Sequence, residues 1–400
     1  MKAYLVKSPS LLPPFEKPPS QIRFLDCTVE SRLRAQLRDD GFEVVDAPSL
    51  EMARRDSDSI ALTDDLVVSD GFFRRFVAEL PSRRRNYQCE IETGRFTLFS
   101  SKDAPPSFRK LPVYYYGDGA AEAKLERHPM TPGCVLEVAQ GLPARMHALT
   151  EMRLYFLDLY GVQLEYWFDL QTATSLYCRE YVAKLLRPVA AVLPPWLITR
   201  LTSVSWLMER CNRIGKASRI HRTAILEGCV VGDGVEIGPY CYLRSSVIGD
   251  GAVLREKTSM KMSFVGEGGF VMGSDVVNSY VGAETAIVSP MLYNVVFGER
   301  GFLSGGSGFA DFILGAGSIA ASINGKDVPS RLSFLGSAVG DDCFLGANLI
   351  FAPGRTIPDG TRLLDNGLIK SVPTAAGGTY VLSGAHLLQV PDGFLGRPRP

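Results

Sequence analysis

The chain has 400 residues, 46% of them apolar and 22% charged, which is enough for two domains, or for one domain plus a repeat array, around a buried core. Its 43 Lys and Arg balance 43 Asp and Glu, and that excludes a nucleic-acid partner, because phosphate contacts need clustered basic residues in excess. Zero net charge also suits a chain that hides surface in an oligomer. The opening MKAYLVKSPS lacks the run of roughly 7–15 apolar residues that a secretory signal needs. No stretch reaches the roughly 18 uninterrupted apolar residues of a membrane span; Leu185 to Met208 is broken by Arg187, Pro188, Pro194, Pro195 and Arg200. Eight cysteines without a C-x-x-C pair read as buried thiols of a reducing cytoplasm.

In chain order, Ser31 to Asp39 is amphipathic, with Leu33 and Leu37 on one helical face. Gly41 suits its C-terminal end, and Phe42 to Val45 a short strand. Ile60 to Leu62 is a second short apolar run, followed by Thr63-Asp64-Asp65, and Gly71 to Leu80 is again helical in pattern. Phe96 to Phe99 and Val113 to Tyr116 read as further strands. Strands alternating with helices predict an α/β layer with a partly parallel sheet over residues 1–149. Residues 150–213 read as a connector: a strand near Val162–Phe168, a helix near Leu170–Leu186, and a second helix near Trp196–Arg213 that covers the open end of a repeat region beginning at residue 214.

From Ile214 an aliphatic or aromatic residue precedes Gly at a steady interval: Ile214-Gly215, Val231-Gly232, Ile248-Gly249, Val265-Gly266, Val281-Gly282, Phe297-Gly298 and Leu314-Gly315. The steps are 17, 17, 17, 16, 16 and 17 residues, and Val339-Gly340 comes after 25. Apolar residues also recur every six, as at Val231, Ile237 and Leu243, or at Val339, Leu345, Phe351, Ile357 and Leu363. Neither a helix nor an alternating strand has that period. A coil with three flat sides of about six residues each does. The spacing predicts a β-helix of about eight coils over 214–365, with one aliphatic residue per side pointing inward and Gly at a corner, chosen for positive φ or for close packing. The long step predicts a bulge at Ser322–Arg331, and Arg255–Ser263 and Ser289–Val295 fit hexads poorly enough to suggest lesser bulges. The tail, 366–400, has Gly-Gly and several Pro and is expected to pack only in part.

The run IHRTAILEGCVVGDGVEIGPYCYLRSSVIGDGAVL (220–254), with LGAGSIAASINGK (314–326) and VGDDCFLGANLIFAPGRTIPDGTRL (339–363), resembles the hexapeptide-repeat β-helix transferases. The nearest likeness is to bifunctional sugar-1-phosphate nucleotidyltransferase/N-acetyltransferases. The resemblance implies a left-handed β-helix, a homotrimer, and a reduced nucleotidyltransferase-like α/β domain in front. LDCTVESRLRAQLRDDGFEVV and ALTDDLVVSDGFFRRFVAEL resemble the segments around that family's metal-binding Asp, which makes Asp65 the metal candidate. A solvent-facing Asp64-Asp65 turn without metal is the alternative. The family's Gly-rich nucleotide loop is absent, since no Gly precedes Gly41. The resemblance further implies Mg2+ and a nucleotide, or acyl-CoA, as cofactors, and a sugar phosphate or nucleotide as ligand.

For acyl transfer the family uses a His general base, yet no His stands between His221 and His386. The matching position falls near Glu299. The Asn and Asp of the family's Asn-Tyr-Asp-Gly turn fall on Ser322 and Asn324. His221 and Glu299 are therefore the catalytic candidates. Asn294, Arg300, Asp311, Ser322, Asn324 and Lys326, on or beside irregular coils, are the ligand-binding candidates. Two readings stay open: a cytoplasmic transferase of nucleotidyl or acyl type, with its activity altered or lost, and a non-catalytic trimeric scaffold or regulator with a pseudo-nucleotidyltransferase head.

Overall fold

The computed structural model describes the chain except residues 25–26, 54–55, 94–106, 118–123, 142–150, 193–203, 314–317, 365–366, 374, 384–385 and 392–400. The expected strand at Phe96–Phe99, the pair Leu314-Gly315 and residues 196–203 of the helix expected near Trp196–Arg213 lie outside the described residues. Two compact units are present. One comprises Met1–Leu11, Lys17–Glu165 and Val182–Leu201; the other comprises Leu12–Glu16, Tyr166–Tyr181 and Thr202–Pro400.

The first unit is built on a six-stranded sheet in the spatial order Glu43–Ala47, Lys2–Val6, Ser59–Thr63, Phe108–Tyr116, Asn86–Glu92, Leu125–Met130. Only Phe108–Tyr116 runs against the others. Helix α1 (Val29–Asp39) begins at Thr28, whose hydroxyl accepts the Ser31 N–H, and buries Leu33 and Leu37. A short helix, α2, spans Leu50–Ala53. Helix α3 (Phe72–Ala78) buries Phe72, Phe73 and Phe76, and the Asp40 carboxylate accepts the N–H groups of Phe73 and Arg74 at its start. These aromatics share a core with Ile60, Leu62, Leu111 and Val113 from the sheet. The alternation read from the sequence thus becomes helices packed on a mostly parallel sheet.

His128, on the edge strand, lies between the rings of Phe76 and Tyr87, with Nε2 buried and without a hydrogen-bond partner. Burial there pushes its pKa below the usual imidazole value. The neutral ring is the folded form, so the unfolded chain takes up the proton first. Acidification through about pH 6.5 is therefore expected to destabilise this unit. Urea unfolding at neutral and mildly acidic pH should show that loss in the native protein and a flatter profile in His128→Phe; equal slopes would refute the assignment.

The second unit is a parallel β-helix. Its first face stacks eight short strands, from Arg213–Ile214 through Val230–Val231, Val247–Ile248, Phe264–Val265, Tyr280–Val281, Val296–Phe297 and Ala338–Val339 to Thr356–Ile357. The second face runs from Arg219–Ile220 to Arg362–Leu363 and is extended by Thr379–Ser383 and His386–Val390; these last two pair antiparallel, so part of the tail closes the array. The third face stacks Ile225–Glu227, Tyr242–Arg244, Ser259–Lys261, Asp275–Val277 and Met291–Tyr293, and after them come Gly308–Phe309, Leu349–Phe351 and Gly367–Ile369. Ser259–Lys261 and Met291–Tyr293 are regular rungs, so the lesser bulges expected there are absent: both segments keep the parallel ladder with their neighbours.

The hexad residues point inward as the spacing predicts. Val231, Ile237, Leu243, Val339, Leu345, Phe351, Ile357 and Leu363 belong to one continuous buried core. Each such side chain contributes about 1.5–3 kcal/mol by leaving water. The recurrent Gly is a matter of close packing, not of positive φ. A Cβ on Gly232 would stand 2.3 Å from Asp250 Oδ1, and that carboxylate accepts the Asp233 N–H from the next coil. The positive-φ corner residues are others: Gly228, Ser245, Met262, Asn278 and Asn294 form one such column between the third and first faces.

The first face is covered. Its outward residues Val247, Phe264, Tyr280, Val296 and Ala338 are buried. Helix α4 spans Trp167–Ala190, and its part in this unit, up to Tyr181, lies along that face. Trp167 Nε1 donates to Thr356 Oγ1 at 3.1 Å, Gln171 Nε2 to Asn294 Oδ1 at 2.9 Å, and the Cys178 thiol to the Ser263 carbonyl, so the helix runs down the face from late coils to early ones. The expected strand at Val162–Phe168 is shorter, Gly161–Gln163, because Trp167 and Phe168 already belong to α4. Helix α5 (Val204–Glu209) meets the first coil, where the Met208 carbonyl accepts the Gly228 N–H.

The 25-residue step holds an antiparallel hairpin, Ile319–Ile323 with Lys326–Leu332. Asn324 and Gly325, at φ 50 and 74, form its two-residue turn. Six of the eight cysteines are buried, and burial pushes the Cys229 and Cys343 thiols up to about 12. Among the described residues no helix is long and apolar enough to cross a membrane.

Candidate functional site

The residues singled out from the sequence fall in different places, so they are not one constellation. In the first unit the chain leaves Lys2–Val6 for one side of the sheet, through α1 to Glu43–Ala47, and later adds Ser59–Thr63 on the other side. Such a reversal of strand order opens a crevice at the strands' carboxyl ends. Asp64 and Asp65 stand there, and both are buried, which overturns the solvent-facing turn. Asp64 Oδ1 accepts the Ser8 N–H at 2.7 Å, and desolvation raises its pKa. Asp65 Oδ1 accepts the Thr63 hydroxyl, and Oδ2 accepts Gln163 Nε2 at 3.2 Å. With both oxygens taken by neutral protein donors, the residues around Asp65 do not fit Mg2+. Among the described residues no three His, Cys, Asp or Glu gather as a metal site.

His221 is exposed on the first coil. Its Nδ1 accepts the Thr223 N–H at 3.3 Å and lies 2.9 Å from the Thr223 hydroxyl. Neutral His221 then carries its proton on Nε2, and its one basic nitrogen, Nδ1, is already engaged by Thr223.

Glu299 and Arg300 occupy the corner between the first and second faces. Arg300 grips Asp342 with two bonds of 2.8 Å and donates to Glu299 Oε2 at 3.0 Å. The Asp342 carboxylate beside it holds the guanidinium well above its ordinary pKa. Glu299 Oε1 is buried and accepts no hydrogen bond.

Asn294 and Asp311 meet at the corner between the third and first faces. Asn294 Nδ2 donates to Asp311 Oδ2 at 2.7 Å. Asn294 Oδ1 accepts both Gln171 Nε2, at 2.9 Å, and Asn278 Nδ2, at 2.7 Å. Next to this network the Tyr293 hydroxyl donates to Asp275 Oδ2 at 2.8 Å. Burial, the bond to Asp275 and the nearby Asp311 charge push the tyrosine up to about 12. Desolvation raises Asp311. Gln171, Asn278, Asp275 and Tyr293 were not among the sequence-derived candidates. Gln171 stands 123 residues from Asn294 in the chain, and no local pattern joins them. The positive φ shared by Asn278 and Asn294 was foreshadowed only by Asn recurring sixteen residues apart, next to the apolar-Gly repeat.

Ser322, Asn324 and Lys326 sit on the hairpin. The Ser322 N–H donates to the Gly354 carbonyl at 2.7 Å, Asn324 makes the turn, and Lys326 is exposed. Among the described residues no hydrogen bond joins these three to Asn294 or Glu299.

No protein-family model and no curated protein matches the chain. Among solved structures, it is similar to the polysialic acid O-acetyltransferase OatWY, with 14% identity over 44% of this chain and 87% of that one, at a TM-score of 0.21. It is also similar to the polySia-specific acetyltransferase NeuO, with 12% identity over 44% of this chain and 81% of that one, at a TM-score of 0.24. The class of fold, a parallel β-helix joined to an α/β sheet, rests on the strand pairing described above.

Proposed function

We propose that the chain is a cytoplasmic transferase of the acyltransferase type, active as a homotrimer, with the β-helix as its working half. The observation that supports this best is Glu299. It is a carboxylate at a coil corner with one oxygen held by Arg300 and the other, Oε1, buried and unpartnered. In this reading Oε1 takes the proton of an acceptor hydroxyl or amine as that atom attacks the thioester carbonyl of acyl-CoA; the C–S bond breaks and the CoA thiolate leaves. Lys326, with Ser322 and Asn324, holds a phosphate-bearing acceptor such as a sugar phosphate. The first unit has no assigned step, because its loop after Val6 has no Gly and Asp65 already has protein partners on both oxygens.

Thermal shift with acetyl-CoA, sugar phosphates, UTP and dTTP tests the reading, since a ligand of the folded state raises Tm by mass action. Acetyl-CoA is expected to raise Tm. Glu299→Gln should keep that rise while transfer falls about a hundredfold or more. No rise with any of these at millimolar concentration would defeat it. Light scattering should give three times the 43.7 kDa chain mass, and a single chain mass would remove the trimer. The second reading, a rigid scaffold, is favoured by one feature: His221 and Arg300 are already engaged by Thr223 and Asp342.

A further inference from the structure

On the third face, Glu227, Arg244, Lys261, Val277 and Tyr293 are register partners on successive coils. The residue before each of them, Leu226, Leu243, Met260, Val276 or Leu292, points into the core, so this column stands on the outer surface. Glu227 is nevertheless buried, with 3% of its side chain exposed. Its Oε2 accepts the Tyr242 hydroxyl at 2.9 Å and lies 3.2 Å from Arg244 Nε, which is buried and makes no hydrogen bond. The guanidinium is thus held by its inner edge. Its Nη1 and Nη2 have no protein partner among the described residues and are not buried. Lys261 has Arg244 and Val277 as its neighbours in the column, so neither side offers it an acid. Asp275, on the next strand, takes the Tyr293 hydroxyl and makes no ion pair with Lys261. Lys261 Nζ lies 6.0 Å from the centre of the Tyr242 ring, on the preceding coil. Register partners on adjacent strands stand about 4.8 Å apart, and like charges directly opposite each other are destabilising. The fold therefore gathers a guanidinium and an ammonium beside one tyrosine, and the free atoms of both are hydrogen-bond donors only.

We propose that Arg244 and Lys261 together bind the oxyanion group, phosphate or carboxylate, of a small molecule lying beside Tyr242. The planar guanidinium presents its two free nitrogens to two oxygens of such a group, and the ammonium adds a point charge from the next coil. An anion seated there replaces the repulsion between the two cations with two attractions. Glu227 is a positioning residue: it engages the Nε side of Arg244 and leaves the other edge for the ligand. The Tyr242 ring, fixed through its hydroxyl, offers an apolar side to the ligand's carbon skeleton. This face is not the corner of Glu299, which lies between the first and second faces, so the proposal is independent of acyl transfer there.

The test is equilibrium dialysis of the full chain, at low ionic strength, against labelled inorganic phosphate and, separately, labelled acetate. Saturable binding of one anion per chain is expected, weakening as NaCl is added because both cations are partly exposed. Arg244→Gln and Lys261→Gln should each weaken it at least about tenfold, the loss of one charge-assisted hydrogen bond. Arg219→Gln, on the second face, should leave it unchanged. Lys261→Gln keeps Glu227, Tyr242 and Arg244 as they are, so it decides the matter should Arg244→Gln fail to fold. Tighter binding of phosphate would mark a phosphate-bearing ligand, and tighter binding of acetate a carboxylate-bearing one. Binding of neither anion up to about 10 mM would overturn the proposal. Binding that both Arg244→Gln and Lys261→Gln leave unchanged would put the anion elsewhere on the chain, and would overturn it as well.

Discussion

Phe297→Ala is expected to destabilise the β-helix unit by about 3–5 kcal/mol, read as a lower urea midpoint with an unchanged slope. The ring is fully buried in the inward column of the first face, above Val281 and below Val339. A Cβ on Gly301 would stand 2.4 Å from Phe297 Cε1, so Gly301 leaves the space that the ring fills. Truncation opens a cavity that the rungs above and below cannot close, because backbone ladders fix their spacing. A loss under about 1 kcal/mol would place the ring outside the stacked core.

Asn294→Ala is expected to cost about 3 kcal/mol or more. Three hydrogen bonds disappear, and the amides of Gln171 and Asn278 lose their shared acceptor while Asp311 loses its donor. Asn294 also sits at φ 56, where Asn is tolerated and Ala is strained by about 1–2 kcal/mol. Asn294→Gly separates the two effects. It relieves the backbone but not the network, so it should recover about 1 kcal/mol relative to Ala and remain well below the native protein. If Gly restored native stability, the network would contribute nothing and the conformation everything.

The repeat is legible in the sequence because every rung repeats one physical problem. An inward aliphatic or aromatic residue about every six positions, with Gly where the next coil presses against the corner, recurs from Val231 to Leu363 outside the hairpin, regardless of what surrounds the array. The covering of the first face leaves a fainter trace. Phe264-Val265, Tyr280-Val281 and Val296-Phe297 are apolar at both positions, as strands buried on two sides must be, whereas Arg219-Ile220 and Glu236-Ile237 on the second face are not. The candidate site residues have no such periodicity to bind them together, and the fold distributes them over two corners, a hairpin, the first coil and the other unit.

What the amino-acid order determined alone was the coil, since its period depends on residues six and about seventeen apart that must face one interior. It likewise showed the helix at Ser31–Asp39, the strand after Gly41, the run at Ile60–Leu62 and the helix after Gly71, through local amphipathic patterns, but not the strands Lys2–Val6 and Leu66–Val68. Tertiary structure alone decided that Gln171, Asn278, Asn294 and Asp311 form one network. It alone decided that Asp65 is enclosed by Thr63 and Gln163 and that Glu299 keeps one oxygen unpartnered. Periodic burial repeats along the chain and is written there; hydrogen-bond partnership depends on direction and distance between groups far apart in sequence, and those exist only once the coils have stacked and the helix has been laid across them.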